Sequence, residues 1–192
     1  MRTRFLASLT VAAIAAAPLA AQAAAKPAAA PVGFRAEFIQ TFDAATKKYI
    51  QLAEAIPADK YTWRPPGARS IAEVFIHIAN AQYLFGTSMG WPAPAGIDAA
   101  KMDSPTAETW TTDKAKIIET MKASFAWYRA GVMAMPDADA NKTAKFFGQT
   151  LTMRAFLLEE TGHNGEHLGQ MIAYARMNGV VPPWSMPAAG TQ

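Results

Sequence analysis

The chain has 192 residues, with 18 Lys plus Arg against 15 Asp plus Glu, three histidines and no cysteine. The absence of cysteine excludes disulfides, thiolate nucleophiles and thiolate-ligated metals. Without Arg2 and Arg4, which sit in a segment expected to be removed, the charge is close to balanced, and no concentrated basic face marks the chain as nucleic-acid binding.

Met1 to Arg4 is positive, Phe5 to Ala17 is apolar and Ala-rich, Pro18 breaks the run, and Ala21-Gln22-Ala23 matches a small-x-small cleavage site. Residues 1–23 therefore read as a signal peptide, and the protein is expected to be exported, periplasmic or secreted. The apolar run falls short of the ~20 strongly apolar residues of a membrane span, so no stable span is expected after cleavage. Residues 24–33 are Ala/Pro-rich, the composition of a disordered tether. One domain is expected over 34–186, without internal repeats, followed by a frayed tail at 187–192.

The fold class read from spacing is all-α, a four-helix bundle. Phe38, Phe42, Ala45, Tyr49 and Leu52 recur at helical steps between Phe34 and Ala55, and Pro57 ends the run. Tyr61 to Arg69 is rich in turn formers and predicts a structured loop. Ser70-Ile-Ala-Glu73 is a capping box that starts a second helix running to about Met89, with Val74, His77, Ile78, Ala81, Leu84 and Phe85 as its buried stripe. Residues 90–111 carry three prolines and predict a long loop, one that permits a non-sequential helix arrangement. A third helix runs from about Asp113 to Met135. Lys145 to Thr150 predicts a short extended or hairpin piece. The fourth helix runs from about Thr152 to Asn178, with Gly179 and Pro182-Pro183 beyond it.

On that last helix Phe156, Glu160, His163, His167, Met171 and Tyr174 share one stripe. His163 and His167 are one turn apart, the spacing at which two imidazoles chelate one metal. His77 sits on the stripe of another helix, and facing helices of a bundle bring such residues together. The competing reading is three core histidines, each hydrogen-bonded to a neighbour. Three buried imidazoles without partners would cost about 1–3 kcal/mol each; a shared metal would satisfy all three.

Glu160, one turn before His163, is the candidate catalytic group, as a base or as a support orienting a histidine. A salt bridge to a cation on another helix is its competing role. Gln170 is a candidate ligand-binding donor near the metal, or a cap at the bundle's end. Gly162, Gly165 and Gly169 interrupt the helix at about 1 kcal/mol each relative to Ala; close packing or a dimer contact is the preferred explanation, room for a ligand the other. His163-Asn-Gly-Glu-His167 also fits the H-x-x-E-H zinc metallopeptidase pattern, with Glu166 as base. No Asp or Glu follows Glu166 to complete such a site.

Trp63-Arg-Pro-Pro with Arg69-Ser70, His77-Ile-Ala-Asn-Ala81, His163-x-x-x-His167-x-x-Gln170 and Tyr174-x-Arg176-x-x-Gly179-x-x-Pro182-Pro183 together resemble the DinB family, over roughly Phe34 to Trp184. The resemblance implies a four-helix bundle, often a homodimer, with a divalent metal on three histidines, here His77, His163 and His167. It also implies a metal-dependent transferase or hydrolase type of activity on a small molecule, in several members a thiol. The signal peptide departs from that theme, because low-molecular-weight thiols are mostly intracellular. The alternative is a non-catalytic metal- or small-ligand-binding bundle. All-histidine ligation suits Zn, Ni, Cu and Fe alike; Zn is the default expectation, with Ni, Mn or Fe as alternatives.

Overall fold

The structure, a computed structural model, describes residues 32–102 and 104–187. The expected signal peptide, the tether up to residue 31 and the tail from residue 188 lie outside the described residues. Four long helices carry the fold: α1 (Phe34–Ala55), α2 (Ile71–Ser88), α3 (Lys114–Ala134) and α4 (Met153–Met177). A hairpin of β1 (Thr143–Phe146) and β2 (Gln149–Thr152) precedes α4 and occupies the place of the expected extended piece.

The helix starts follow local chemistry. The Ser70 side chain accepts from the Glu73 amide at 3.2 Å and Glu73 Oε2 accepts from the Ser70 amide at 2.7 Å, the full capping box. Asp113 accepts from the amides of Ala115 and Lys116, and Thr152 from that of Ala155. At the other end of α4, Gly179 takes φ 76°, a left-handed position that a side chain would strain.

Around the bundle the order is α1, α3, α2, α4: α1 and α2 each pack against both α3 and α4, and the pairs α1/α2 and α3/α4 lie across the diagonals. The start of α1 meets the end of α3, where Arg35 Nη1 donates to the Val132 carbonyl at 3.3 Å, so these two run antiparallel. The ends of α2 and α3 come together instead. Tyr83 packs on Trp127 at 5.3 Å between ring centroids, and the Tyr128 hydroxyl lies 3.7 Å from Met89 Sδ. Adjacent parallel helices need a connection that returns the length of the bundle. Eighteen residues of α2 rise about 27 Å, which explains the long stretch over 89–113. The long connection was expected to permit a non-sequential arrangement, and the arrangement is non-sequential: α2 and α3 lie side by side while the shorter connections cross the diagonals.

That returning segment contains two 3₁₀ turns, Ala99–Lys101 and Pro105–Glu108, and both pack on α2. With α3 and α4 on its other sides, α2 has no open polar face. Phe75, Ile76, Ala79 and Gln82, off the expected stripe, are buried, while His77 and Leu84, on it, are only half-buried. Periodicity underestimates burial when a covering segment comes from elsewhere in the chain.

The core is aromatic between α1 and α3, where Phe42 meets Phe125 edge-on at 6.1 Å and Tyr128 at 5.6 Å. Trp91 lies flat against Gly131 of α3; a Cβ there would overlap its ring, so glycine is required. No helix among the described residues is long and apolar enough to cross a membrane.

Candidate metal centre

The antiparallel packing of α2 on α4 puts the middle of one helix against the middle of the other. His77 therefore faces His163 and His167. Their ring centroids lie 5.0 and 4.7 Å from that of His77 and 4.7 Å from each other. One nitrogen from each ring lies within 4.8 Å of the other two. All three rings are half-buried, on the flank of the α4 stripe that fills the core.

Second-layer partners aim the rings. Glu108, in the returning segment, lies with Oε1 2.7 Å from Nδ1 of His77. A carboxylate accepts, so Nδ1 carries the hydrogen and Nε2 keeps its lone pair toward the cluster. Glu108 is held in turn by Arg69, whose Nε and Nη2 donate to it at 2.6 and 3.1 Å. Burial pushes the Glu108 carboxyl up, but hydrogen bonds from His77 and Arg69 outweigh it and hold the group below its ordinary value. His167 is treated similarly. Its Nδ1 lies 2.7 Å from Gln170 Oε1, and Gln170 Nε2 donates to the Tyr174 hydroxyl at 2.9 Å. Tyr174 is braced edge-on by Trp63 at 5.3 Å. Gln170 thus accepts from a histidine and orients it, in a position where a donor toward the metal was expected.

His163 completes the set. Its Nε2 is 3.0 Å from Nε2 of His77, and its buried Nδ1 has no partner among the described residues. Burial, with His167, His77 and Arg69 adding positive repulsion, lowers its pKa to about 3, and burial likewise lowers that of His167. Both stay neutral and keep lone pairs at physiological pH. Two neutral ring nitrogens at this distance are held either by a hydrogen on one of them or by a cation between them. This donor set, neutral and all-imidazole, fits a divalent ion such as Zn.

Glu160 lies elsewhere. It is 1% exposed, accepts from the Asn164 side-chain amide, and does not line the cavity beside the histidines. Its neighbours are neutral amides rather than the cation of a salt bridge: Gln82 Nε2 donates to Asn164 Oδ1 at 3.2 Å, and the Tyr49 hydroxyl donates to the Asn164 carbonyl at 2.7 Å. Burial pushes the Glu160 carboxyl up to about 8, against the donors Gln82 and Asn164. The α4 carboxylates that do line the cavity are Glu159 and Glu166. Glu166 fulfils the H-x-x-E-H spacing, yet the third nitrogen comes from His77 upstream.

Gly162, Gly165 and Gly169 of α4 have open space at the Cβ position, with nothing within 4 Å among the described residues. Close packing within the chain therefore does not explain them. Sequence reading passed over Glu108, a carboxylate in a proline-rich loop; the one signal for it was Arg69, a motif arginine with no partner in view.

The sequence matches the family profile described as the DinB superfamily over residues 41–171, more than half of its length. The chain belongs to the DinB superfamily. Solved structures agree on the fold. A DinB-like protein from Bacillus cereus ATCC 10987 is 20% identical with a TM-score of 0.65, covering 76% of this chain and 93% of that one. The DinB-like protein YjoA from Bacillus subtilis is 23% identical with a TM-score of 0.59, covering 79% and 95%. YfiT from B. subtilis, described as a probable metal-dependent hydrolase with an unusual four-helix bundle topology, is 17% identical with a TM-score of 0.58, covering 76% and 88%. No curated protein matches the sequence. In this DinB chain the motif residues Trp63, Arg69, Gln170 and Tyr174 all serve to hold two of the three histidines.

Proposed function

We propose that this DinB protein is an exported, metal-dependent hydrolase or transferase acting on a small organic molecule, with a divalent ion, Zn first, on His77, His163 and His167. The observation that carries the reading is the convergence of three ring nitrogens within 4.8 Å of one another, brought from two helices. The description of YfiT as a probable metal-dependent hydrolase supports the hydrolase branch; the resemblance to thiol-using relatives supports the transferase branch.

When bound, the ion supplies Lewis acidity toward a substrate oxygen or sulfur. The chain's own residues prepare that chemistry. Glu108 and Gln170 hold the Nδ1 hydrogens of His77 and His167, so both rings present a lone pair in a fixed orientation. Three protein ligands leave coordination open for substrate, the pattern of catalytic rather than structural sites. Phe85 and Phe146, stacked at 4.8 Å, form an apolar wall of the neighbouring cavity of about 370 Å³.

Metal content of protein purified without a polyhistidine tag tests the site. About one ion per chain is expected, falling to none in His163→Ala; unchanged content in the variant overturns the proposal. Screening the loaded protein for hydrolysis and for thiol transfer then separates an enzyme from a binding protein, and activity that survives chelation counts against the mechanism. Export is tested by cell fractionation and N-terminal sequencing, where an uncut cytoplasmic chain would contradict it.

A further inference from the structure

The cavity of about 370 Å³ beside the metal centre is built by four parts of the chain. His77, Ala81, Leu84 and Phe85 stand at i, i+4, i+7 and i+8 on one face of α2. From α4 comes His163, whose ring centroid lies 5.8 Å from that of Phe85. Met102 of the returning segment and Phe146 of the hairpin also line it. Two of the three clustered histidines thus belong to the lining, and His167 does not. A molecule in the cavity meets the metal centre along the edge formed by His77 and His163.

The other walls are apolar and fixed in place. Phe146 stacks on Phe85 at 4.8 Å and meets Phe156 edge-on at 5.3 Å. Phe85 is 5% exposed and Phe156 is fully buried, so this aromatic wall is anchored in the core. Ala81 is buried as well, and Leu84 and Met102 are half-buried.

Among the described residues, the lining carries no Ser, Thr, Asn, Gln, Tyr, Lys or Arg. Its remaining polar residues, Glu159 and Glu166, are exposed and stay in water. The backbone at the α2 and α4 positions is hydrogen-bonded within the helices. With an ion on the histidines, the cavity therefore presents a Lewis acid at one edge and chiefly apolar surface elsewhere. A polyhydroxylated or peptide-like body would give up hydrogen bonds to water here without replacing them. An aromatic or aliphatic body would gain from burial.

We propose that this cavity takes a small molecule with one metal-binding oxygen or sulfur group on an aromatic or similarly apolar body, the group at the His77–His163 edge and the body against Leu84, Phe85 and Phe146. Those three side chains then set specificity by selecting the body. The volume is at the lower end for small-molecule sites, so the body is small. This substrate class deepens the proposed function and rests on it, and it argues against a thiol built on a sugar or a peptide.

The test uses three hydroxamates that share one metal-binding head, acetohydroxamate, phenylacetohydroxamate and gluconohydroxamate, titrated calorimetrically into the purified, zinc-loaded chain. Phenylacetohydroxamate is expected to bind about 10- to 100-fold more tightly than acetohydroxamate, and gluconohydroxamate no more tightly than acetohydroxamate. Phe146→Ala should shrink the ratio of the first two, and Leu84→Ala serves as a second variant if that one fails to fold. Because a ratio is read, a loss of active protein cancels. Equal affinities for the phenyl and methyl compounds, a preference for the gluconyl compound, a ratio unchanged in both variants, or no binding of any of them at millimolar concentration overturns the proposal. A chain that takes up no zinc refutes the metal reading instead. In that case 2-naphthol is titrated into the metal-free protein: binding that Phe146→Ala weakens upholds the apolar site, and absence of binding overturns it too.

Discussion

Nδ1 of His77 lies 2.7 Å from the carboxylate of Glu108, a residue 31 positions later that the returning segment carries back along α2. The contact is possible only because α2 and α3 run parallel and their connection must retrace the bundle. A topological necessity thereby delivers the group that orients the His77 ring, and Arg69 clamps that group from the other side.

Glu108→Ala removes the acceptor for the His77 Nδ1 hydrogen. Metal affinity, read by competition with a chromogenic chelator, is expected to fall by about 10- to 100-fold, the usual effect of losing an outer partner. Arg69 is 43% exposed and returns to solvent easily, so thermal unfolding of the metal-free protein should change little. Unchanged affinity would mean that packing alone orients His77.

Glu160 gives stability a defined pH dependence. Its folded pKa is raised by burial to about 8, from an ordinary 4.5. The folded chain therefore holds the proton more tightly than the unfolded chain, and this group lowers stability as pH rises from about 4.5 to about 8. Glu160→Gln keeps a neutral polar group of the same size and removes that loss. In urea unfolding, the variant should gain on wild type steadily across this window and hold a constant advantage above it. A difference without slope would show that the carboxyl is ionised in the fold. His163 acts in the opposite direction: its pKa falls from 6.5 to about 3 on folding, so its contribution is present above 6.5 and is lost as pH drops toward 3.

Gly165 and Gly169 lie exposed on α4 with no atom near a Cβ position. Gly165→Ala should stabilise an isolated chain by about 1 kcal/mol through helix propensity, raising Tm by about 2–4 °C in a protein of this size. A loss of stability instead would place atoms of another chain against this face, as a homodimer would.

Local features were legible from residue order. The capping box at Ser70, the ends of all four helices, the hairpin before α4 and the chelating spacing of His163 and His167 depend on contacts within a few residues. Such contacts are encoded in short windows, where periodicity and turn chemistry report the same energies that act in the fold. The convergence of His77 on the pair was also foreseeable, because buried stripes of a bundle must face one another.

The roles of individual carboxylates were not legible in this way. Glu159 and Glu160 are neighbours in the chain, yet one lines the cavity and the other is sealed among Gln82 and Asn164. Consecutive helical residues point about 100° apart, and which direction opens on a cavity depends on where the other helices and the hairpin lie. Glu108 depended on the same long-range packing. Helical periodicity sets the faces of each element; the order of helices around the bundle, a property of contacts distant in sequence, assigns each face its neighbour and so its chemistry.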